Sequence, residues 1–232
     1  MEENINFQFE GTECSLFKDL DEDRLNQLNK IRQIKVLKKG DFIYTEGSVP
    51  NSVFALHSGH IKAFKIGSDG KEQIIYLSKP GDLVGWQQLT CNDPYSTSAV
   101  ALERAVISEI DKAEFIRLIE NTPVSLALTH YICEDVVMLE TKVLELSQKS
   151  VRERLATNII LLYEKFGMKN ENTLIIGIPL TREDFANLIG TNTETVIKLL
   201  SEFRKEGHID IIDKKIIIIN MTALRKMSDF YR

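Results

Sequence analysis

Residues 179–207 read PLTREDFANLIGTNTETVIKLLSEFRKEG, and the fold turns on how this stretch is understood. Thr181 with Asp184 forms a capping-box pattern, and Thr191 with Glu194 forms a second one ten residues on, so two helix starts are marked. Phe185, Ala186, Leu188 and Ile189 give the first helix an apolar face, and Gly190 permits a sharp turn. Val196, Leu199, Leu200 and Phe203 give the second helix its own stripe. Two short helices in this order make a helix-turn-helix, whose second member lies in the DNA major groove. Its outward face carries Thr193, Glu194, Ile197 and Lys198, groups that can reach base edges or methyls. An ordinary αα-hairpin is the competing reading and would need only solvating residues there. The next residues favour the helix-turn-helix. Gly207 ends the helix, and HIDIIDKKIIIIN supplies β-branched runs at Ile209–Ile212 and Ile216–Ile219 around Asp213-Lys214-Lys215. A hairpin directly after the second helix is a winged helix, with lysines at the tip suited to phosphates.

Outside this stretch, composition sets the class. The chain has 232 residues, enough for two modest domains, with 43% hydrophobic and 27% charged residues, as in soluble globular proteins. No uncharged apolar run approaches the roughly 20 residues of a membrane span. The start, MEENINFQFEG, lacks the pattern of a signal peptide, so a cytoplasmic protein without a membrane partner is expected. Cys14, Cys91 and Cys133 form neither a metal-spaced pair nor a disulfide framework. The net charge of −5 divides unevenly, −7 over residues 1–150 and +2 over 151–232. The weak basic bias falls on the helix-turn-helix half, which suits a reader of specific sites more than a basic coat.

Upstream the texture changes. Between residue 31 and about 110, glycines punctuate short β-prone runs: Ile31–Leu37, Phe42–Tyr44, Val53–His57, Ile61–Ile66, Gln73–Leu77, Thr97–Leu102 and Ala105–Ile110. That pattern predicts a barrel or sandwich. Helical character returns at Asp111, and Pro123 opens a stretch without glycine or proline to about Ser147. Within it Ile132, Val136, Leu139, Val143 and Leu146 are spaced 4, 3, 4, 3, a coiled-coil seam over about two heptads. The seam could pack on the chain's own barrel. A helix this long has little barrel to cover, so self-pairing is favoured. Ser150 with Glu153 marks one more helix start, running through Phe166, and residues 147–150 read as a hinge. The expected division is 1–122, 123–149 and 150–232.

This layout resembles the bacterial Crp/Fnr transcription regulators, named for the cyclic-AMP receptor protein and the fumarate-nitrate reduction regulator. The matching stretches are LKKGDFIYTEG (37–47), LHSGHIKAF (56–64), KPGDLVGWQQL (79–89), SVRERLATNIILL (150–162) and LTREDFANLIGTNTETVIKLLSEFRKEG (180–207). GDLVG leans toward the fumarate-nitrate branch. The resemblance implies an α+β chain: an N-terminal β-roll of the cyclic-nucleotide-binding, jelly-roll type, a long dimerisation helix and a C-terminal winged helix-turn-helix. It also implies a homodimer on double-stranded DNA bearing an inverted repeat, with RNA polymerase as a further partner.

The departures from the family bear on its ligands. Members that bind cyclic AMP place a Glu after the cassette glycine and an Arg some ten residues on. Here Gly85 is followed by Trp86, and Ser96, beside Thr97, stands at the arginine position. A serine hydroxyl cannot replace a guanidinium on a phosphate. The seam-helix positions that would meet the base fall near Asp135, Leu139 and Glu140, which puts acid beside an anion. Cyclic AMP is therefore not expected, and Trp86 reads as a core or pocket-filling aromatic. Fumarate-nitrate regulators hold an iron–sulfur cluster on four cysteines, and three cysteines cannot supply it within one protomer. Cys91 and Cys133 read as inert small hydrophobes or redox-sensitive thiols. His57, His60 and His130 could ligate a haem, but no spacing distinguishes them from ordinary hydrogen-bonded histidines. No cofactor is assigned, and the effector stays open.

In the family's second helix the pattern is E-x-x-[SG]-R, and this chain has E-T-V-I-K from Glu194 to Lys198. Lysine reaches guanine without arginine's fork, and Ile197 suits a thymine methyl. Thr181, Arg182 and Lys214 are expected on the DNA backbone, from helix start and wing, and Thr191 among the DNA-binding residues. A nucleotide-binding module acting on a protein partner is the alternative function. An enzyme is not expected, since no metal triad, P-loop or nucleophile elbow occurs.

Overall fold

The computed structural model describes Phe17, Leu20 and residues 22–120, 122–170 and 173–228. Cys14 lies outside the described residues. In order, the chain forms α1 (Glu22–Ile31), β1 (Gln33–Leu37), β2 (Phe42–Tyr44), β3 (Ser52–Ser58), β4 (Ile61–Ile66) and β5 (Glu72–Ser78). Then come β6 (Leu83–Val84), α2 (Trp86–Cys91), β7 (Ser98–Ala101), β8 (Ala105–Asp111), α3 (Lys112–Ile119), α4 (Thr122–Gln148) and α5 (Val151–Phe166). The remainder is β9 (Gly167–Asn170), β10 (Thr173–Ile176), α6 (Arg182–Ile189), α7 (Thr193–Lys205), β11 (Ile209–Ile212), β12 (Lys215–Ile218) and α8 (Met221–Ser228). Two compact units result. The first holds the residues up to Lys65 and Ile75–Val137; the second holds Ile66–Ile74 and the chain from Met138 onward.

The first unit is built on two four-stranded antiparallel sheets, ordered β1-β8-β3-β6 and β2-β7-β4-β5, which enclose one core; Ile66 at the end of β4 and residues 72–74 at the start of β5 group with the second unit. Phe54 and Leu56 of β3 meet Ile61 and Ala63 of β4, Ala99 of β7 and Ile107 of β8. The alternate residues Val53 and Ala55 point the other way, with Ile110, into a second core that includes Trp86, Leu89, Phe115, Val124 and Leu128. Helices thus cover the outer face of β3, which is why its sequence shows a continuous apolar run and no polar alternation. The β-roll expected from sequence is present. Its first strand starts later than the sequence suggests, because Ile31 closes α1 and β1 begins at Gln33.

The second unit begins within α4 and is dominated by short capped helices. Ser150 and Glu153 form a full capping box at the start of α5, with Ser150 N–H donating to Glu153 Oε2 at 2.7 Å. Beyond α5 lies a four-stranded antiparallel sheet, β11-β12-β10-β9. The wing turn is tighter than the three residues read from sequence. Ile212 pairs with Lys215, leaving Asp213 and Lys214 at φ 49° and 67°, a two-residue turn of type I′ geometry. Along α4, Ile132, Val136, Val143 and Leu146 are 50%, 48%, 68% and 45% exposed, and Leu139 is half-buried. Leu146 also lies against Gly190, where a Cβ would stand 3.1 Å from its Cδ2.

Candidate nucleic-acid interface

Two caps and one glycine build the interface. Thr181 N–H donates to Asp184 Oδ2 at 2.9 Å while Asp184 N–H donates to Thr181 Oγ1 at 3.0 Å, the reciprocal box expected at the start of α6. Gly190, at φ 70°, ends α6 in the left-handed region, and its N–H returns to Ala186 O. The second box expected from sequence does not form. Asn192, not Thr191, is the N-cap of α7, its Oδ1 accepting from Thr195 N–H at 2.8 Å. Thr191 spends its own N–H on Ala186 O at 3.1 Å, as part of the turn. In Thr-Asn-Thr each residue is a competent cap, and the turn closed by Gly190 selects the middle one.

The shift by one residue places Glu194 in the second position of α7. Val196, Leu200 and Phe203 are buried, while Glu194, Ile197 and Lys198 are exposed on another face, with Thr193 half-buried. Glu194 and Lys198 make no ion pair or hydrogen bond among the described residues. Ile197, between them on the helix, is 53% exposed. The far end of α7 is fixed by Arg152 of α5. Its guanidinium reaches Glu202 Oε2 at 2.9 Å and Glu206 Oε2 at 2.5 Å and lies 4.8 Å over the Phe203 ring. Burial pushes the Arg182 guanidinium down from its ordinary pKa, at the first position of α6. Lys214 is exposed at the wing tip. The arrangement can present one carboxylate, one ammonium and one branched apolar side chain along a helix, flanked by cations.

Gly85, Trp86, Ser96 and Thr97, the positions expected for an effector, each make contacts within the β-roll. Gly85, at φ 81°, lies beneath a stacked pair of tyrosines: a Cβ there would come within 3.1 Å of both Tyr44 and Tyr95. Those two rings stack at 3.8 Å between centroids, and the Tyr95 hydroxyl donates to Ser52 O at 3.0 Å. Thr97 is buried and bonds to the Tyr44 hydroxyl, Ser96 accepts from Gln88 Nε2 at 2.8 Å, and Trp86 sits in the second core. Burial raises the pKa of Tyr44 and Tyr95, and pushes Tyr76, which also faces Asp135, up to about 12. An open cavity of about 350 Å³ lies beside the stack, lined by Phe42, Tyr44, Val49, Phe54, Tyr95 and Glu109 among others, and by none of Gly85, Trp86, Ser96 or Thr97. Sequence reasoning misses the tyrosines, since stacking joins residues about fifty apart.

The histidines are engaged or exposed. His57 Nε2 stands 2.6 Å from Ser108 Oγ and His60 Nδ1 2.5 Å from Glu103 Oε1, while His130, Cys91 and Cys133 are exposed. Among the described residues no cluster of His, Cys, Asp or Glu is placed to hold a metal ion, and no helix is long and apolar enough to cross a membrane.

Comparison with known proteins agrees with this geometry. The family model for the Cyclic nucleotide-binding domain matches residues 34–122, and that for the Crp-like helix-turn-helix domain matches residues 153–227. Electron transport regulator A of Shewanella oneidensis is 31% identical over 220 residues, covering 94% of this chain and 87% of its own. The Fumarate and nitrate reduction regulatory protein of Escherichia coli is 30% identical over 215 residues, covering 92% and 86%. FixK2 from Bradyrhizobium japonicum shares the fold, with a TM-score of 0.77 at 20% identity over 87% of this chain and 100% of that one. A β-roll, a long helix and a capped helix-turn-helix, matched over nearly the whole chain, make this protein a DNA-binding transcription regulator of the Crp/Fnr family.

Proposed function

We propose that the chain acts in the cytoplasm as a homodimer that reads an inverted repeat in double-stranded DNA, without cyclic AMP and without catalysis. The observation that carries the dimer is the row of exposed apolar side chains on α4, from Ile132 to Leu146. Such a row on a helix of 27 residues, roughly 40 Å long, is buried by a second copy of the same helix. A twofold axis between the helices presents two copies of α7 to successive major-groove faces, so the half-sites lie about one turn apart. Glu194 accepts from a cytosine amino group, Lys198 meets guanine and Ile197 a thymine methyl. Thr181, Arg182 and Lys214 serve backbone contacts around them, and Thr191 and Thr193 complete the interface at the start of α7. RNA polymerase is the further partner of a dimer so placed.

The tyrosine stack against Gly85 and the serine at position 96 argue against a cyclic phosphate in the β-roll. Residues 1–122 then act as sensor or scaffold, 123–149 as the pairing helix and hinge, and 150–232 as the reader. Sedimentation tests the dimer: Leu139→Glu with Val143→Lys should give a folded monomer. A retained dimer would show that the seam packs elsewhere.

A further inference from the structure

An α-helix ends with four carbonyls that have no partner inside it, and the groups that satisfy them set the direction of the next segment. In α6 these belong to Ala186, Asn187, Leu188 and Ile189, directly ahead of the turn that launches α7. Ala186 O takes the N–H groups of Gly190 and Thr191. The other three are capped from outside the helix-turn-helix. Gln73 Nε2, on β5, donates to Asn187 O at 2.7 Å and Leu188 O at 3.3 Å. Arg154, on α5, donates from Nε to Ile189 O at 2.8 Å and from one terminal nitrogen to Gly190 O at 3.2 Å. Its other terminal nitrogen reaches back to Lys149 O at 2.9 Å, beyond the end of α4. The strand carrying Gln73 is itself held, since Lys142 Nζ of α4 donates to Ile74 O at 2.5 Å. All these residues belong to the second unit.

We propose that Gln73 and Arg154 are positioning residues for DNA reading: together they cap the carbonyl end of α6 and so fix the turn from which α7 is presented. This rests on α7 being the reader. The chemistry matches the task. Both side chains donate into carbonyls, and the Arg154 cation sits at the negative end of the α6 dipole, where a positive charge is favoured. Neither residue is on the face that carries Glu194, Ile197 and Lys198, so their effect reaches DNA only through the turn.

The test uses the full chain and a duplex selected by the wild-type protein from a random library, beside a scrambled duplex of equal length. Arg154→Lys, which keeps the cation and loses the fork, should weaken the selected duplex roughly tenfold, the scale of one charge-assisted hydrogen bond. Gln73→Ala should weaken it less, and Gln73→Glu more than Gln73→Ala, because a carboxylate would face the carbonyls. The scrambled duplex and the salt slope should not change, which separates positioning from phosphate contact. Amide hydrogen exchange at residues 190–195 should quicken in Arg154→Lys and Gln73→Glu, a readout that needs no DNA. Folded variants within about twofold of wild type on the selected duplex would overturn the proposal. So would equal losses on both duplexes, or unchanged exchange. If instead the wild type selects no duplex, the reading by α7 fails and the exchange data alone judge the caps.

Discussion

The interior of the β-roll and the outer face of α7 are the two places where the sequence leads one to expect a ligand, and the fold treats them in opposite ways. At the first, Gly85, Thr97 and Ser96 are each engaged by the protein itself, through the Tyr44–Tyr95 stack and Gln88. At the second, Glu194, Ile197 and Lys198 are exposed, with no ion pair or hydrogen bond at either charge among the described residues. A binding face shows itself by interactions that folding leaves unmade. A face whose groups are all satisfied must give something up before it can bind. On that criterion the polar groups of α7 are free to bind as they stand, while Gly85, Ser96 and Thr97 are already engaged within the roll.

The contrast breaks first at the tyrosines. Tyr95 is 4% exposed, so Tyr95→Ala should destabilise the first unit by about 3–5 kcal/mol, measured by denaturant unfolding. Tyr95→Phe, which keeps the stack and loses the bond to Ser52 O, should cost about 1 kcal/mol. A near-neutral Tyr95→Ala would mean that the roll interior is loosely filled and open to a ligand after all.

The second unit also holds charged groups away from water, Glu145 buried and Lys142 half-buried on α4. Burial depresses Lys142 from 10.5 to about 8, with Glu145 nearby opposing the shift, and burial raises Glu145, with Lys149 opposing. Below pH about 8 the amine is charged in folded and unfolded chains alike, so the cost of burying it is constant. Between about 8 and 10.5 only the unfolded chain holds the proton, so stability should rise with pH through that window. The gain should be on the order of 1–3 kcal/mol relative to Lys142→Met, which lacks the titration. Equal pH profiles for the two proteins would place Lys142 in water.

The smallest effects are on the open face and concern discrimination more than folding. Glu194→Ala should cost roughly 1–3 kcal/mol on the correct base at one position and less on the wrong one, while folding loses at most about 1 kcal/mol from the first turn of α7. Lys198→Ala should alter preference at the neighbouring position if the ammonium meets guanine. An even loss across sequences with a shallower salt slope would assign it to phosphate. A Glu194→Ala protein with unaltered preference would remove the open half of the contrast.

Local patterns carry most of the fold in the sequence, because caps and turns are encoded within a few residues. The boxes at Ser150–Glu153 and Thr181–Asp184, the αL turn at Gly190 and the wing hairpin are all legible there. The cap of α7 lies one residue from its sequence-based position because three adjacent side chains compete for it. α2, six residues long, carries too little periodicity to be seen, and β9 with β10 is hidden between a helix end and the Ile-rich segment. The exposed trio on α7 is evident from spacing alone. The tyrosine stack and the caps on α6 are not, since Gln73 and Asn187 are 114 residues apart and nothing local links them.

At the tip of the type I′ wing, Lys214 holds φ 67° without being glycine, a conformation that costs an ordinary side chain on the order of 1 kcal/mol. Lys214→Gly should therefore raise the melting temperature of the second unit while removing an ammonium from the wing tip and weakening DNA binding at low salt. If both outcomes are found, the position trades robustness of the fold for grip on the duplex, and the backbone strain at the wing tip has a functional return.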